Sequence, residues 1–239
     1  MKFYGKGIPG ADPEKLTGRL IVVEGLDGSG RSTLISLLVD WLEDNGHATA
    51  TTGLNRSNLV SNEIRTAKEG HKMSKKTFPL FYATDFMDQL EHIILPSLRA
   101  GATVLADRYI YTPIARGLVR GLDREWLEKL YAVAVIPDLI FYLNVDSYIS
   151  IERNLEQRSE LDYWESGMDM GLANNISDSF TLYQQRMGNE FENMADRYGF
   201  ITINGNRSIA QVNGNMRRKI NKAFAIETNR LRKVIRRSG

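Results

Sequence analysis

"GLDGSGRST", residues 25–33, decides the fold. The apolar run "RLIVVE" at 19–24 precedes it, and Leu34, Leu37, Leu38, Trp41 and Leu42 follow at helical spacing. A strand, a Gly-rich turn and an amphipathic helix in that order make a phosphate-binding loop of spacing G-x-x-x-x-G-R-S. Glycines let successive backbone N–H groups turn toward phosphate oxygens, and the helix start adds its positive dipole end. Gly25, Asp27, Gly28, Ser29, Gly30, Arg31, Ser32 and Thr33 are therefore the expected contacts to ATP. The Ser32 hydroxyl is the expected ligand for Mg²⁺. Such loops carry lysine where this one has Arg31. The charge is kept, but a planar guanidinium is not interchangeable with an ammonium.

Working outward, strand patterns recur at "HATATT" (47–52), "ATVLADR" (102–108), "DLIFYLNV" (138–145) and "FITING" (200–205). Helical patterns separate them at about 58–69, 77–98, 112–119, 123–134 and 147–158. Phe180, Tyr183, Met187, Phe191 and Met194 mark one face of a further long helix, and Ser208 is placed to cap the helix after the last strand. This alternation predicts a three-layer α/β/α fold around a mostly parallel sheet of five strands. Asp107 ends its strand at the carboxyl side, where open α/β sheets bind ligands. Residues 1–17 read as an irregular leader, 18–226 as the domain, and about 153–175 as a mobile, polar lid within it.

Composition narrows the function classes. The chain has 239 residues, 42% of them apolar, enough for one substantial core. With no cysteine there is neither a disulfide framework nor a thiolate metal site. Residues 1–18 lack a signal-peptide core and no apolar run reaches membrane length, so a cytoplasmic protein with no membrane partner is expected. The net charge of +2 is uneven: residues 227–239 carry five basic side chains against Glu227, which leaves −2 on the body. No nucleic-acid partner is expected of such a body. The basic tail either docks on the body through Leu231, Val234 and Ile235 or touches an anionic partner.

Four stretches, taken in order, resemble the thymidylate kinase family of nucleoside monophosphate kinases: "EGLDGSGRST", "LFYATDFMDQLEHIILPSLRAGATVLADRY", "RNLEQRSELDYWE" and "FITINGNRSIAQV". The likeness runs from about Gly18 to Phe224. It implies transfer of the ATP γ-phosphoryl group to a nucleoside monophosphate, dTMP first, with Mg²⁺ and in a homodimer. It implies that Asp107 helps hold the metal and that Arg108 clamps the acceptor phosphate. Arg153 and Arg158 match the lid arginines that approach the transferring group, and Tyr82 falls where an aromatic ring stacks on the acceptor base. From the residues alone, Tyr82 is equally a core residue, and a solvated Arg153 paired with Glu156 is the alternative to its lid role.

The acceptor side departs from the family pattern. The arginine expected four residues after the stacking aromatic is Phe86, and "GLNRS" at 53–57 replaces R-E-P-G-G, with Arg56 nearby. After Asp107, Arg108 and Tyr109, Thr112 keeps a hydroxyl, while Arg116 replaces an aromatic and Gly117 an amide. Tyr82, Phe86, Arg108, Tyr109, Thr112 and Arg116 are the expected acceptor residues. A different phosphorylated acceptor, or an ATP-binding sensor without turnover, are the alternatives these departures raise.

Overall fold

The computed structural model describes residues 1–70, 73–157 and 161–235; the side chains of 147, 155–157 and 225–235 are not described. Five strands, β1 (Arg19–Gly25), β2 (Thr49–Gly53), β3 (Thr103–Asp107), β4 (Leu139–Asn144) and β5 (Ile201–Asn204), form one sheet in the order β2-β3-β1-β4-β5. Every pairing is parallel, as crossover helices require. The helices are α1 (Arg31–Asp44), α2 (Ser61–Glu69), α3 (Thr77–Gln89), α4 (Leu95–Arg99), α5 (Tyr111–Val119), α6 (Arg124–Leu130), α7 (Ser147–Gln157), α8 (Ile176–Tyr198) and α9 (Ile209–Ile235).

β1 is buried on both faces, and its pleat sorts the core into two layers. Leu20 and Val22 join a cluster built with Leu90, Tyr183 and Phe191, on the α3, α5 and α8 side. Ile21 and Val23 join Leu34, Leu38, Val212 and Met216, on the α1 and α9 side. Side chains alternating across a strand give this division, and the continuous apolar run is its sequence mark. A third, smaller cluster joins Ile64, Phe78, Tyr82 and Trp164 away from the sheet.

Register brings three strand ends together. Val23 pairs with both Asp107 and Phe141, and Asp107 also pairs with Gly53. The carboxyl ends of β1, β2 and β3 therefore open on one cleft.

One reading of the sequence is refined and one corrected. The helix expected over 77–98 is present and runs on to Arg99, but a π turn, Leu90–Ile94, widens it between α3 and α4, where Leu95 N donates to Leu90 O. Pro96 is the physical reason, since its ring would clash with the carbonyl four residues back, and a widened turn moves that carbonyl aside. The helix expected over 123–134 stops at Leu130. The chain after it is taken up by the leader instead: Phe3 makes an antiparallel bridge to Val135, and Tyr4 N donates to Ala134 O at 2.9 Å. The basic tail continues α9 as far as Ile235, but its docking side chains lie outside the described residues.

Candidate active site

The phosphate loop leaves β1 at Gly25 and enters α1 at Arg31. Gly28 (φ 77°) and Gly30 (φ 86°) take the left-handed conformation that a side chain disfavours. At Gly28 space is also closed, because a Cβ would stand 2.5 Å from the Ser150 carbonyl oxygen. Gly30 caps α1 with no side-chain hydrogen bond, so the first amides of the helix stay available to an anion.

Arg31 is held on two sides. Its Nε donates to Asp107 Oδ1 at 2.9 Å, and its Nη1 donates to the carbonyls of Gly25 (2.7 Å) and Leu26 (2.5 Å). One side chain thus ties the loop to the end of β3, a geometry that the fork of a guanidinium allows and the single point of an ammonium does not. Ser32 Oγ donates to Asp107 Oδ2 at 2.8 Å, and Arg56 Nη2 lies 3.4 Å from the same oxygen. Burial pushes the Asp107 carboxyl up, but Arg31, the Ser32 hydroxyl and Arg108 outweigh it and hold it below the usual range.

Arg108 turns back over the loop with φ 68°, a left-handed backbone at a non-glycine residue. Its Nη1 donates to Gly25 O and Thr112 Oγ1, and its Nη2 pairs with Asp27. Glu24, fully buried in β1, accepts from the amides of Tyr109 and Thr112 and from the Thr112 hydroxyl. That carboxylate fixes the strained turn from inside. Such strain persists where surrounding contacts over-determine it, which is common at functional sites.

A cavity of about 450 Å³ lies against the loop, lined by Gly28 to Leu34, Arg153, Asn154, Arg207 and the start of α9. On the other side of Arg108 stands a wall of side chains. Arg116 Nη1 donates to Tyr82 Oη at 3.1 Å, and its guanidinium carbon lies 5.6 Å from the Tyr82 ring centroid. Glu165 stands 3.6 Å from Arg116 and 3.3 Å from Lys68, which also reaches Asp162 at 3.0 Å. Trp164 stacks on Phe78 at 5.1 Å, and Arg120 joins Asp169, the Tyr183 hydroxyl and the Trp164 carbonyl. Residues 162–169 are thereby fastened to α2, α3, α5 and α8.

The family match for thymidylate kinase spans residues 23–215. The chain belongs to the thymidylate kinase family. It is 36% identical over 204 residues to a protein named probable thymidylate kinase 2 from Saccharolobus solfataricus, covering 85% of this chain and 95% of that one. A probable thymidylate kinase from Thermococcus kodakarensis is 35% identical over 153 residues, 59% of this chain and 75% of that one. The thymidylate kinase of Brachyspira hyodysenteriae is 26% identical over 166 residues, 69% of this chain and 82% of that one.

Within this thymidylate kinase fold, Gly25 to Thr33, Asp107, Arg108 and Thr112 converge on the carboxyl ends of β1 and β3, while Tyr82 and Arg116 meet across the α3–α5 face. Arg153 lines the cavity; the side chain of Glu156, its alternative partner, and all of Arg158 lie outside the described residues. Phe86 and Tyr109 stand in the core: Phe86 packs edge-on to Tyr109 and Tyr131, and Tyr109 Oη donates to Val135 O. Phe86 also borders the narrow cleft between Gly53 and Arg108. Asp85 accepts from the amides of Asn55 and Ser57, and Gln89 Nε2 donates to Gly53 O, so α3 shapes the "GLNRS" turn that delivers Arg56.

Sequence reasoning missed Glu24, Lys68, Asn154 and Glu165. Glu24 had a signal, a carboxylate inside an apolar strand, which is buried only with partners. Glu165 closes the stretch "RNLEQRSELDYWE" that carries the resemblance, whereas Lys68 had no signal, since their meeting depends on the path between them. No helix among the described residues is long and apolar enough to cross a membrane.

Proposed function

We propose that this chain transfers the γ-phosphoryl group of Mg-ATP to the phosphate of a nucleoside monophosphate, with dTMP the first acceptor. The observation that carries it is the convergence of Arg31, Arg108 and the Ser32–Asp107 pair on one Gly-rich loop. Phosphoryl transfer asks for in-line positioning and for cations around three equatorial oxygens. The loop amides and Arg31 hold the donor's outer phosphates, and Arg153 faces them across the cavity. Arg108, anchored by Asp27 and Thr112, meets the acceptor phosphate. An oxygen of that phosphate attacks the γ-phosphorus as the bond to the bridging oxygen breaks, and ADP leaves. No general base is needed, because the attacking oxygen is already anionic.

Ser32 and Asp107 offer hard oxygen donors side by side, a set that suits Mg²⁺. The ion would be held there and would neutralise charge on the donor's phosphates. Arg158, which the resemblance places beside Arg153, completes the set of cations in this reading. Tyr82 and Arg116, with Phe86, Tyr109 and Thr112 behind them, form the acceptor side. The reading carries a homodimer and a cytoplasmic location with it; sedimentation analysis checks the first.

The test is ADP release from Mg-ATP against dTMP, dUMP, UMP, CMP, AMP and GMP. Acceptor-dependent release fastest with dTMP is expected. Silence with every acceptor, while ATP still binds, overturns the kinase reading.

A further inference from the structure

Ser150 and Asn154 lie one turn apart on α7, against the phosphate loop. The Ser150 hydroxyl donates to the Asp27 carbonyl, and the backbone N of Asn154 lies within 3.4 Å of where a Gly28 Cβ would stand. The Asn154 side chain is 2% exposed and borders the same cavity as Gly28, Ser29 and Gly30. Its Nδ2 is the one buried side-chain polar atom, among the described residues, with no hydrogen-bond partner. A buried amide without an acceptor has lost its hydration for nothing in return, so such a group calls for an explanation.

In this arrangement no acceptor of the loop bonds Nδ2, and three of its carbonyls are engaged elsewhere. Gly25 O already accepts from Arg31 and Arg108, Leu26 O from Arg31 and from the Ser29 amide, and Asp27 O from Ser150. The missing acceptor comes from the cavity. Arg31, Arg153 and Arg207 line that cavity, and the N-terminus of α1 opens on it. Its chemistry selects an anion rich in oxygen acceptors.

We infer that Asn154 donates through Nδ2 to a phosphate oxygen of the donor nucleotide, which makes it a binding residue of the loop and ties α7 to loop occupancy. The inference rests on the ATP reading above. Arg153 precedes Asn154 on the same helix, so the bond that satisfies Nδ2 also sets where that guanidinium stands. The effector of this positioning is the phosphate chain, not the base or the sugar.

The experiment is calorimetric binding of ATP, ADP and adenosine to the full chain and to Asn154→Leu, with the melting temperature of each ligand-free protein. Leucine keeps the branched four-atom shape of the side chain and removes the orphaned donor. ATP and ADP affinity should fall about tenfold, adenosine affinity should not move, and the ligand-free variant should melt no lower than the parent. Unchanged ATP affinity would mean that Nδ2 is satisfied by a water and would overturn the assignment. A drop in melting temperature, or an equal loss for adenosine, would make the residue merely structural. A parent that binds no ATP would instead overturn the donor reading itself. Should the variant not fold, the parent bound to a non-hydrolysable ATP analogue decides: Nδ2 within about 3.2 Å of a phosphate oxygen upholds the inference, and a longer separation ends it.

Discussion

The two sides of the cleft are made differently. The side proposed for the donor is mostly backbone: nine consecutive residues, two left-handed glycines and the first amides of α1, with Asp107 and Arg108 arriving from the adjacent strand. The side proposed for the acceptor is mostly side chain: Tyr82 from α3, Arg116 from α5 and Arg120 just after it, Lys68 from α2, and Glu165 and Asp169 from the segment before α8. A backbone site is set by spacing and tolerates little change at its glycines. A side-chain site is set by which charges meet, and buried ion pairs contribute more to selecting an arrangement than to net stability. The first kind keeps its form while the second can be rewritten, which matches a phosphate loop intact but for Arg31 and an acceptor wall with several altered positions.

This comparison is broken most directly at Gly28. Gly28→Ala puts a Cβ 2.5 Å from Ser150 O on a backbone with φ 77°, and neither neighbour is a flexible side chain. ATP affinity should fall by more than about 100-fold, in line with the loss of several charge-assisted bonds at once, while circular dichroism stays that of the parent. An alanine variant that binds ATP normally would show the loop to be less backbone-determined than the geometry states.

Arg116→Met sharpens the other half. Methionine keeps the bulk, and Glu165 retains Lys68, so no carboxylate is stranded. The acceptor KM should rise about 10- to 30-fold, as expected for one lost charged contact, with ATP affinity unchanged. A change in ATP affinity instead would join the two sides into one unit.

Arg31→Lys has the smallest expected effect and addresses the boundary between them. Lysine keeps the charge for the phosphates but cannot hold Asp107 and the Gly25 and Leu26 carbonyls together. Turnover should fall about threefold to tenfold, the range of one lost hydrogen bond in a partly buried network. A lysine variant faster than the parent would mean that Arg31 is a burden on the site and not part of its architecture.

Much of the fold was legible because its signals are local. The apolar runs of β1, β3 and β4 mark strands covered on both faces, and the Leu34, Leu38 and Leu42 spacing marks the buried face of α1. The π turn was not legible, because Pro96 permits a kink, a break or a widened turn, and packing of Leu90 and Ile94 into the core selects among them. The leader's bridge to Val135 was hidden for a similar reason: "KFYG" has no periodicity, and only the surface left open after α6 gives it a partner.

By itself the sequence determined the alternation of strand and helix and the phosphate loop between β1 and α1. Periodicity and glycine spacing act over a few residues and need no knowledge of the rest. Tertiary structure alone decided that Arg31 faces Asp107, that Asp85 and Gln89 shape the turn that delivers Arg56, and that Asn154 is left with a donor and no acceptor. These facts depend on distances between segments 30 to 123 positions apart in the chain. Such distances follow from the order and register of the sheet and the helices packed on it, which no local pattern encodes.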